Sequence, residues 1–211
     1  ERQKVESLQQ ALFEISELSA NVDGDMDDFY STIHDILSRL IGAPNCYVAT
    51  IGNHDQTLQF PYYKDHVHLQ VEPRPMGLGL TEYVIRCGSA MLIDATKAQQ
   101  LNEAGELSST VAKQMRQKMN SWIGSPLVID GDICGVIAVQ SYGKEKQYTL
   151  KDLEFLCFVS NHIAVSLERK QSADAVKAYN QRLEEEVKAR TEELISTNLF
   201  LQKQIEERLQ A

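Results

Sequence analysis

Hydrophobic residues recur at helical spacing at both ends of the chain and at strand spacing between them. The first stripe has members three and four residues apart: Val5, Leu8, Leu12 and Ile15. This narrow stripe is typical of a coiled coil and predicts a helix over residues 1–20 that contacts a second chain. A broader apolar face between Met26 and Leu40 predicts a second helix, which Gly42 and Pro44 would end.

The middle of the chain has the pattern of short strands separated by turns. Stretches that are apolar, β-branched or alternating predict strands at residues 46–51, 58–63, 66–71, 91–93, 121–129 and 133–142. Residues 130–132 predict a hairpin turn between the last two. Residues 80–88 predict a short helix, whereas residues 95–120 are polar and only loosely helical. Hairpin-linked strands with helices on one side predict an α+β fold with a mostly antiparallel sheet.

The last part of the chain predicts one long helix, because no glycine or proline occurs from Thr149 to Ala211. Thr149 and Asp152 have the spacing of a capping box at its start. The first turns are apolar on several sides, as in a packed helix, and the later ones are mostly charged with a thin apolar stripe. That stripe has alternating spacings of four and three, with core positions at Val176, Asn180, Leu183, Val187, Leu194 and Leu201 and weaker ones at Arg190 and Thr197.

Two interpretations of this stripe remain open. A coiled coil through it predicts a parallel homodimer, in which a buried Asn180 would fix the register. The alternative is a solvated helix that is stabilised mainly by what flanks it. We therefore divide the chain into an N-terminal dimerisation helix over residues 1–20, a domain over residues 21–168 and a coiled-coil linker over residues 169–211.

Composition narrows the class of function. The formal net charge is −9 and no Lys/Arg cluster forms a stripe, which argues against nucleic-acid binding. The longest apolar stretches, such as residues 133–139, are too short to cross a bilayer, and no signal peptide is visible. The cysteines are widely spaced and form no C-x-x-C pair, as in reduced cytoplasmic proteins: Cys46, Cys87, Cys134 and Cys157. Because residue 1 is Glu, we expect a fragment of a longer cytoplasmic protein.

Few residues suggest chemistry. His66 and His68 would share one face of a strand and could bind a metal, but no Cys, Asp or Glu constellation completes the site. We therefore predict a solvated strand face and no metal. Gly77 and Gly79 lack the third glycine of a dinucleotide fingerprint and better suit the start of the following helix. No nucleophile and base have a known catalytic spacing, so we predict that the chain is not an enzyme.

Several stretches resemble the GAF sensor domains of bacterial signalling proteins, in the order of that family: residues 60–65, 73–88 and 121–142. Residues 148–156 and 161–169 are similar to the closing helix of the family, and residues 187–198 to linkers in sensor kinases and diguanylate cyclases. The resemblance implies a six-stranded antiparallel sheet with helices on both faces. It also implies terminal helices that pack together into a parallel dimer bundle.

The resemblance implies that a small ligand would lie between the sheet and the variable helices of residues 95–120. The candidate ligand-binding residues are Tyr83, Val84, Met115, Met119, Trp122 and Gln140. Each has a simpler interpretation. Trp122 could stack on a ligand or belong to the core, and methionines that share one helix face are usually core residues.

Two ligand types of the family are disfavoured, and the cofactor stays unknown. Cyclic-nucleotide GAF domains carry the pattern Asn-Lys…Phe-x-x-x-Asp-Glu, and of the matching positions only Asp152 is kept. The others are Gln140, Ser141, Tyr148 and Leu153. Bilin-binding domains attach their chromophore through a cysteine in the variable helices, and residues 95–120 contain neither cysteine nor histidine.

The resemblance implies a sensory domain that dimerises and passes a small-ligand or upstream signal through a coiled coil. The output would be a downstream histidine kinase or GGDEF/EAL module of the same parent chain. One alternative is a ligand-free dimerisation module. Another is a methionine sulfoxide reductase of the GAF fold, which would need reactive cysteines that converge on the pocket.

Overall fold

The computed structural model describes residues 2–20, 26–52, 57–67, 71–143 and 146–209, without the side chains of residues 2–8, 19–20 and 209. The predictions for Val5, Leu8 and His68 lie outside the described residues. The helices are α1 (Arg2–Ala20), α2 (Met26–Ile41), α3 (Leu80–Cys87), α4 (Ala95–Glu103), α5 (Ser109–Gln117) and α6 (Leu150–Leu209). The strands are β1 (Asn45–Ile51), β2 (Thr57–Lys64), β3 (Arg74–Pro75), β4 (Met91–Ile93), β5 (Met119–Ile129) and β6 (Asp132–Tyr142).

The strands form one six-stranded sheet in the order β3-β2-β1-β6-β5-β4, with every neighbouring pair antiparallel. The predicted α+β fold is thereby confirmed. The hairpin between β5 and β6 turns at Asp130 and Gly131, which both have positive φ (52° and 88°). Two successive positive φ values are typical of the tight turn that matches the twist of its strands.

Helices cover both faces of the sheet, as the resemblance implied; the expectation from the order of elements, with helices on one side, is wrong, because α3, α4 and α5 pack on the face opposite α1, α2 and α6. Along β6, Ile137 and Val139 belong to one core cluster, and Val136 and Ala138 belong to the other. This alternation is what a strand buried on both faces requires. The first cluster packs against α1, α2 and the first turns of α6, and the second packs against α3, α4 and α5.

Of the strand predicted at residues 66–71, the structure describes residues 66, 67 and 71, and none of these is in a strand; β3 is a later, shorter strand. His66 lies in a bend, where its backbone N–H donates to Asn45 Oδ1 (3.0 Å). The next N–H, of Val67, donates to Asp65 Oδ1 (2.6 Å). These side-chain acceptors take N–H groups that a strand would give to its neighbour, so the chain turns after β2.

Helix α1 is part of the folded unit. Ala11 and Ile15 are fully buried in the core cluster beneath α2, and Leu12 packs against that cluster. On the outside, Arg39 Nη2 donates to Glu14 Oε2 (2.6 Å). The prediction that Ile15 faces a second chain is therefore wrong, because its side chain is completely buried inside its own unit.

The chain divides into two compact units, Glu1–Glu168 and Arg169–Ala211. The first contains the sheet, α1 to α5 and the apolar turns of α6, where Leu156, Val159 and Ile163 are fully buried. In the second unit, residues 171–208 are all exposed. None of the described helices is long and apolar enough to cross a membrane.

Removing the second unit should leave the first one folded. We expect a chain of residues 1–168 to melt cooperatively within about 3 °C of the full chain, because residues 171–208 bury no side chain and a change of 1 kcal/mol moves Tm by only a few degrees. Circular dichroism melts measure this. A chain cut after residue 154 is the matched control and should not melt cooperatively, because it lacks Leu156, Val159 and Ile163. Failure of the 1–168 chain to fold would contradict the division.

Candidate functional site

A cavity of about 120 Å³ lies on the face of the sheet that α3 and α5 cover. Four of the predicted ligand-binding residues line it: Met115, Met119, Trp122 and Gln140. The remaining lining residues were not predicted: Tyr47, Arg74, Gly79, Leu80, Thr81, Val111 and Gln114. The other two predicted residues, Tyr83 and Val84, do not line the cavity. Val84 is fully buried in the core cluster on this face, and Tyr83 packs against the cluster beneath the Arg86 guanidinium.

Trp122 forms the apolar floor of the cavity and is fully buried. Its indole Nε1 donates to Tyr47 Oη (3.1 Å), which lies 2.9 Å from Thr81 Oγ1. Burial raises the pKa of Tyr47 to about 12, so the phenol stays neutral and keeps its proton for hydrogen bonding. The indole also lies over Gly124, where an added Cβ would come within 2.1 Å of the ring. Glycine at this position therefore makes room for the tryptophan.

Gln140 reaches the cavity from β6 and is held by a buried carboxylate. Its Nε2 donates to Asp65 Oδ2 and to Tyr142 Oη (2.9 Å). Tyr142 Oη in turn donates to Asp65 Oδ2 (2.6 Å). Burial, followed by the neighbouring Asp65 carboxylate, raises the pKa of Tyr142 and keeps it protonated. Because both Nε2 bonds point toward this cluster, the orientation of the Gln140 amide is fixed.

Arg74 lines the cavity and is anchored by a buried carboxylate. Its Nη1 donates to Glu82 Oε1, which also accepts from the backbone N–H of Gly77 (3.1 Å). The Glu82 side chain is 1% exposed and the Arg74 side chain is 42% exposed. Burial alone would raise the pKa of Glu82, but the hydrogen bonds and the charge of Arg74 outweigh it and lower that pKa. Glu82 is thus an ionised buried group that holds one side of the guanidinium.

The wall of the cavity is also joined to the start of α6. Met119 pairs with Tyr142 and Ser121 pairs with Ser141, so Asn120 is an extra residue and forms a β-bulge. Asn120 Oδ1 accepts from Gln147 Nε2 (3.1 Å). The segment that carries two wall residues, Met119 and Trp122, therefore also holds the connection that leads into α6.

A second bond from the same segment fixes the beginning of α6. Ser121 Oγ accepts from the backbone N–H of Tyr148 (3.2 Å). The predicted capping box follows directly, with Asp152 Oδ2 accepting from Thr149 N and Thr149 Oγ1, both at 2.8 Å. Asp152 Oδ1 accepts from Lys146 Nζ (2.7 Å), which also donates to the last carbonyl of α2, that of Ile41 (3.2 Å).

The second unit carries the predicted apolar seam on its surface. Val176, Val187 and Leu194 are 60–63% exposed, Leu183 and Leu201 are 39% and 48% exposed, and Asn180 is also exposed. Such a row of exposed apolar side chains at alternating four- and three-residue spacing is what one strand of a coiled coil presents.

Comparison with known proteins agrees with this architecture. The crystal structure of the A. aeolicus nlh2 GAF domain in an inactive state has a TM-score of 0.56 and 14% identity, over 79% of this chain and 99% of that one. The GAF domain of a phosphoenolpyruvate-protein phosphotransferase from Coxiella burnetii has a TM-score of 0.61 and 13% identity, over 80% and 97%. The free methionine-R-sulfoxide reductase of Neisseria meningitidis, solved with its substrate, has a TM-score of 0.61 and 16% identity, over 79% and 91%.

These structures share the fold at low sequence identity and include both signalling domains and an enzyme. No curated protein matches the chain in sequence. A family model described as the GAF domain, however, matches residues 23–168, which is most of the chain. The six-stranded antiparallel sheet, α2 to α5 and the buried turns of α6 lie within that range, and α1 precedes it. The chain therefore belongs to the GAF domain family.

Proposed function

We propose that this chain is a sensory module that dimerises in parallel and passes the state of its cavity through α6 to an output module. The output module would be a histidine kinase or a GGDEF/EAL protein in the cytoplasm. One observation carries this proposal: the β5 segment that contributes Met119 and Trp122 to the cavity wall also binds Gln147 and Tyr148, directly before α6. A change in the cavity wall would thus act on the first turns of α6.

The exposed seam of α6 supports a second copy of this chain as the dimer partner. A single helix with this seam leaves Val176, Val187 and Leu194 in water, whereas a parallel pair would bury them against each other. Identical residues meet across a parallel pair, so Asn180 would face Asn180. Arg190 at a core position weakens the seam, which suits a helix pair that changes register.

We propose that the chain is not an enzyme, and the cysteines support this. None of the described residues that line the cavity is a cysteine, whereas the reductase alternative needs thiols that reach a substrate there. Cys46 is buried, and burial raises its pKa, which disfavours the reactive thiolate. Cys134 is half-buried and its pKa is also raised by burial. A methionine sulfoxide reductase is therefore the weaker proposal.

Disulfide cross-linking tests the dimer and the signal together. In a Cys87→Ser background, which removes the exposed native thiol, we expect Leu194→Cys to cross-link rapidly under mild oxidation. Glu192→Cys is the matched control, because it is equally solvent-exposed but lies on the outer face of the predicted coiled coil. Equal cross-linking at both positions would show that no parallel seam exists.

Leu194→Cys, together with Arg190→Cys and Thr197→Cys as separate variants in the same background, reports on transmission when the cavity is filled. Val111→Phe adds volume to the cavity wall without touching α6. If the cavity controls α6, the relative rates of cross-linking at residues 190, 194 and 197 should change in this variant. An unchanged pattern in a folded Val111→Phe protein would instead favour the ligand-free dimerisation module.

A further inference from the structure

We infer that the cavity binds a short-chain carboxylate, with the carboxylate at Arg74 and the hydrocarbon end against Val111 and Met119. This inference names a ligand class for the proposed sensory function and rests on that function for its biological meaning. The binding itself depends only on the geometry of the cavity.

The size of the cavity selects a small ligand. Its volume is about 120 Å³. A water molecule occupies about 30 Å³ in the liquid, and pockets for drug-sized ligands begin at about 300 Å³. The space therefore suits a molecule of a few heavy atoms, such as an acid of about two to four carbons, and is too small for a nucleotide.

The charge of the wall selects an anion. Among the described residues that line the cavity, Arg74 is the only one with a formal charge. Its Nη1 is occupied by Glu82 and by the carbonyl of Pro75 (3.4 Å), so within the described part of the chain Nη2 and Nε have no acceptor. A guanidinium held in this way can present its remaining N–H groups to a second carboxylate.

The position of Glu82 determines on which side of Arg74 the ligand carboxylate can bind. Glu82 is not itself a wall residue, but its Oε2 lies beside Gly79, where an added Cβ would come within 2.3 Å of it. An anion at Gly79 would therefore be repelled. The carboxylate belongs on the outer side of Arg74, whose side chain is 42% exposed and lies at the rim.

The interior of the cavity selects a hydrocarbon end. Val111 and Met119 are partly accessible and present apolar surface to the cavity, and behind them Trp122, Met115 and Leu80 are buried. The Tyr47 and Thr81 hydroxyls bind each other, so they offer little to a strongly polar ligand group. A molecule that is charged at one end and apolar at the other matches this rim and floor.

The test is a titration of the whole chain with acetate, propionate and butyrate at constant ionic strength. Trp122 is the only tryptophan, so its fluorescence reports on the cavity directly, and calorimetry measures affinity. We expect saturable binding with a Kd of about 1 mM, typical of so small a ligand. Propionamide, which matches propionate in size, should bind at least about tenfold more weakly, because it has no negative charge and only one acceptor oxygen and so cannot form the two-pronged ion pair with the guanidinium. Propylamine should not bind.

Variants locate the site. Arg74→Lys should weaken propionate binding by about tenfold, because the forked donor is lost while the charge stays. Val111→Phe should abolish binding. Arg86→Lys is the control, because Arg86 is exposed, binds Glu106 and does not line the cavity, and its affinity should be unchanged. Melting curves establish that each variant is folded.

Three results would overturn the inference: no binding of any acid, equal binding of propionate and propionamide, or binding that survives both Arg74→Lys and Val111→Phe. None of them decides the proposed function, because the cross-linking response to Val111→Phe is measured without a ligand. The reverse also holds. If the chain binds propionate but its cross-linking does not change, the inferred ligand class stands and the proposed sensory function fails.

Discussion

Trp122→Ala should destabilise the first unit by about 4 kcal/mol, within the range measured when a buried aromatic residue is truncated. The side chain is fully buried, and its loss would leave a void between the sheet and α3. It would also remove the donor that binds Tyr47 Oη, a second and smaller cost. Urea unfolding followed by far-UV circular dichroism measures the loss, since the variant has no tryptophan fluorescence.

Two further variants separate the loss of packing from the loss of the hydrogen bond. Trp122→Phe keeps a ring above Gly124 but lacks the N–H group, and should cost about 1–2 kcal/mol. Val128→Ala removes a surface side chain that is 42% exposed and should cost about 0.5 kcal/mol or less. A loss below about 1.5 kcal/mol for Trp122→Ala would show that the tryptophan is not part of the core.

Arg74→Met should cost about 2–3 kcal/mol at neutral pH, because it leaves the Glu82 carboxylate charged and buried without its cation. The figure lies below the 3–5 kcal/mol of a fully buried pair, since water already reaches the Arg74 side chain. Arg86→Met is the matched control. The Arg86–Glu106 pair is exposed on both sides, and Arg86 also donates to the carbonyls of Glu106 (2.6 Å) and Gly77 (3.3 Å). Its loss should therefore change stability by about 1 kcal/mol or less.

The pH dependence gives a sharper test of the same pair. In the wild type the pKa of Glu82 is lowered below 4.5, so its stabilising contribution is present above that pH and is lost as the pH falls through the folded pKa. In Arg74→Met the hydrogen bond and charge of Arg74 are lost, and only backbone N–H donors such as that of Gly77 still oppose the effect of burial. We therefore expect the pKa of Glu82 to rise, so that protonation relieves the variant. The deficit of Arg74→Met should therefore shrink between pH 7 and pH 4. A constant deficit would show that lost packing, not charge, is the cause.

Sequence patterns predicted the centre of the fold better than its edges. The hairpin of β5 and β6 was predictable because both strands are long, apolar and joined by a turn sequence that permits positive φ. The last strand on the β2 side was misplaced, since residues 66–71 alternate like a strand in sequence while Asn45 and Asp65 take the N–H groups of His66 and Val67. Ile15 was assigned to a dimer seam because spacing along a helix does not reveal whether the covering surface belongs to the same chain.

The residues that line the cavity were predicted only in part, because spacing along the chain does not show which distant elements meet. Met115 and Met119 belong to the variable helices of residues 95–120, and Trp122 and Gln140 belong to the resembling stretch of residues 121–142 that follows. Tyr47, Arg74 and Thr81 come from distant elements and meet the others only when the sheet has formed. On α3 the cavity is lined by the first turn, at Leu80 and Thr81, and does not reach Tyr83 or Val84. Val84 shares a helix face with Leu80 but lies one turn further along, where it is buried in the core cluster.

The position of β6 has a consequence for synthesis on the ribosome. β6 is the last strand made, yet it lies in the centre of the sheet, where Asn45 of β1 pairs with Gln140. At about 5–20 residues per second, β1 waits several seconds with an open edge before its partner exists. The core cluster between the sheet and α1, α2 and α6 is complete only after Ile163 has also left the ribosome. The nascent chain should therefore be most vulnerable to aggregation, and most dependent on chaperones, while residues 52–132 are being translated.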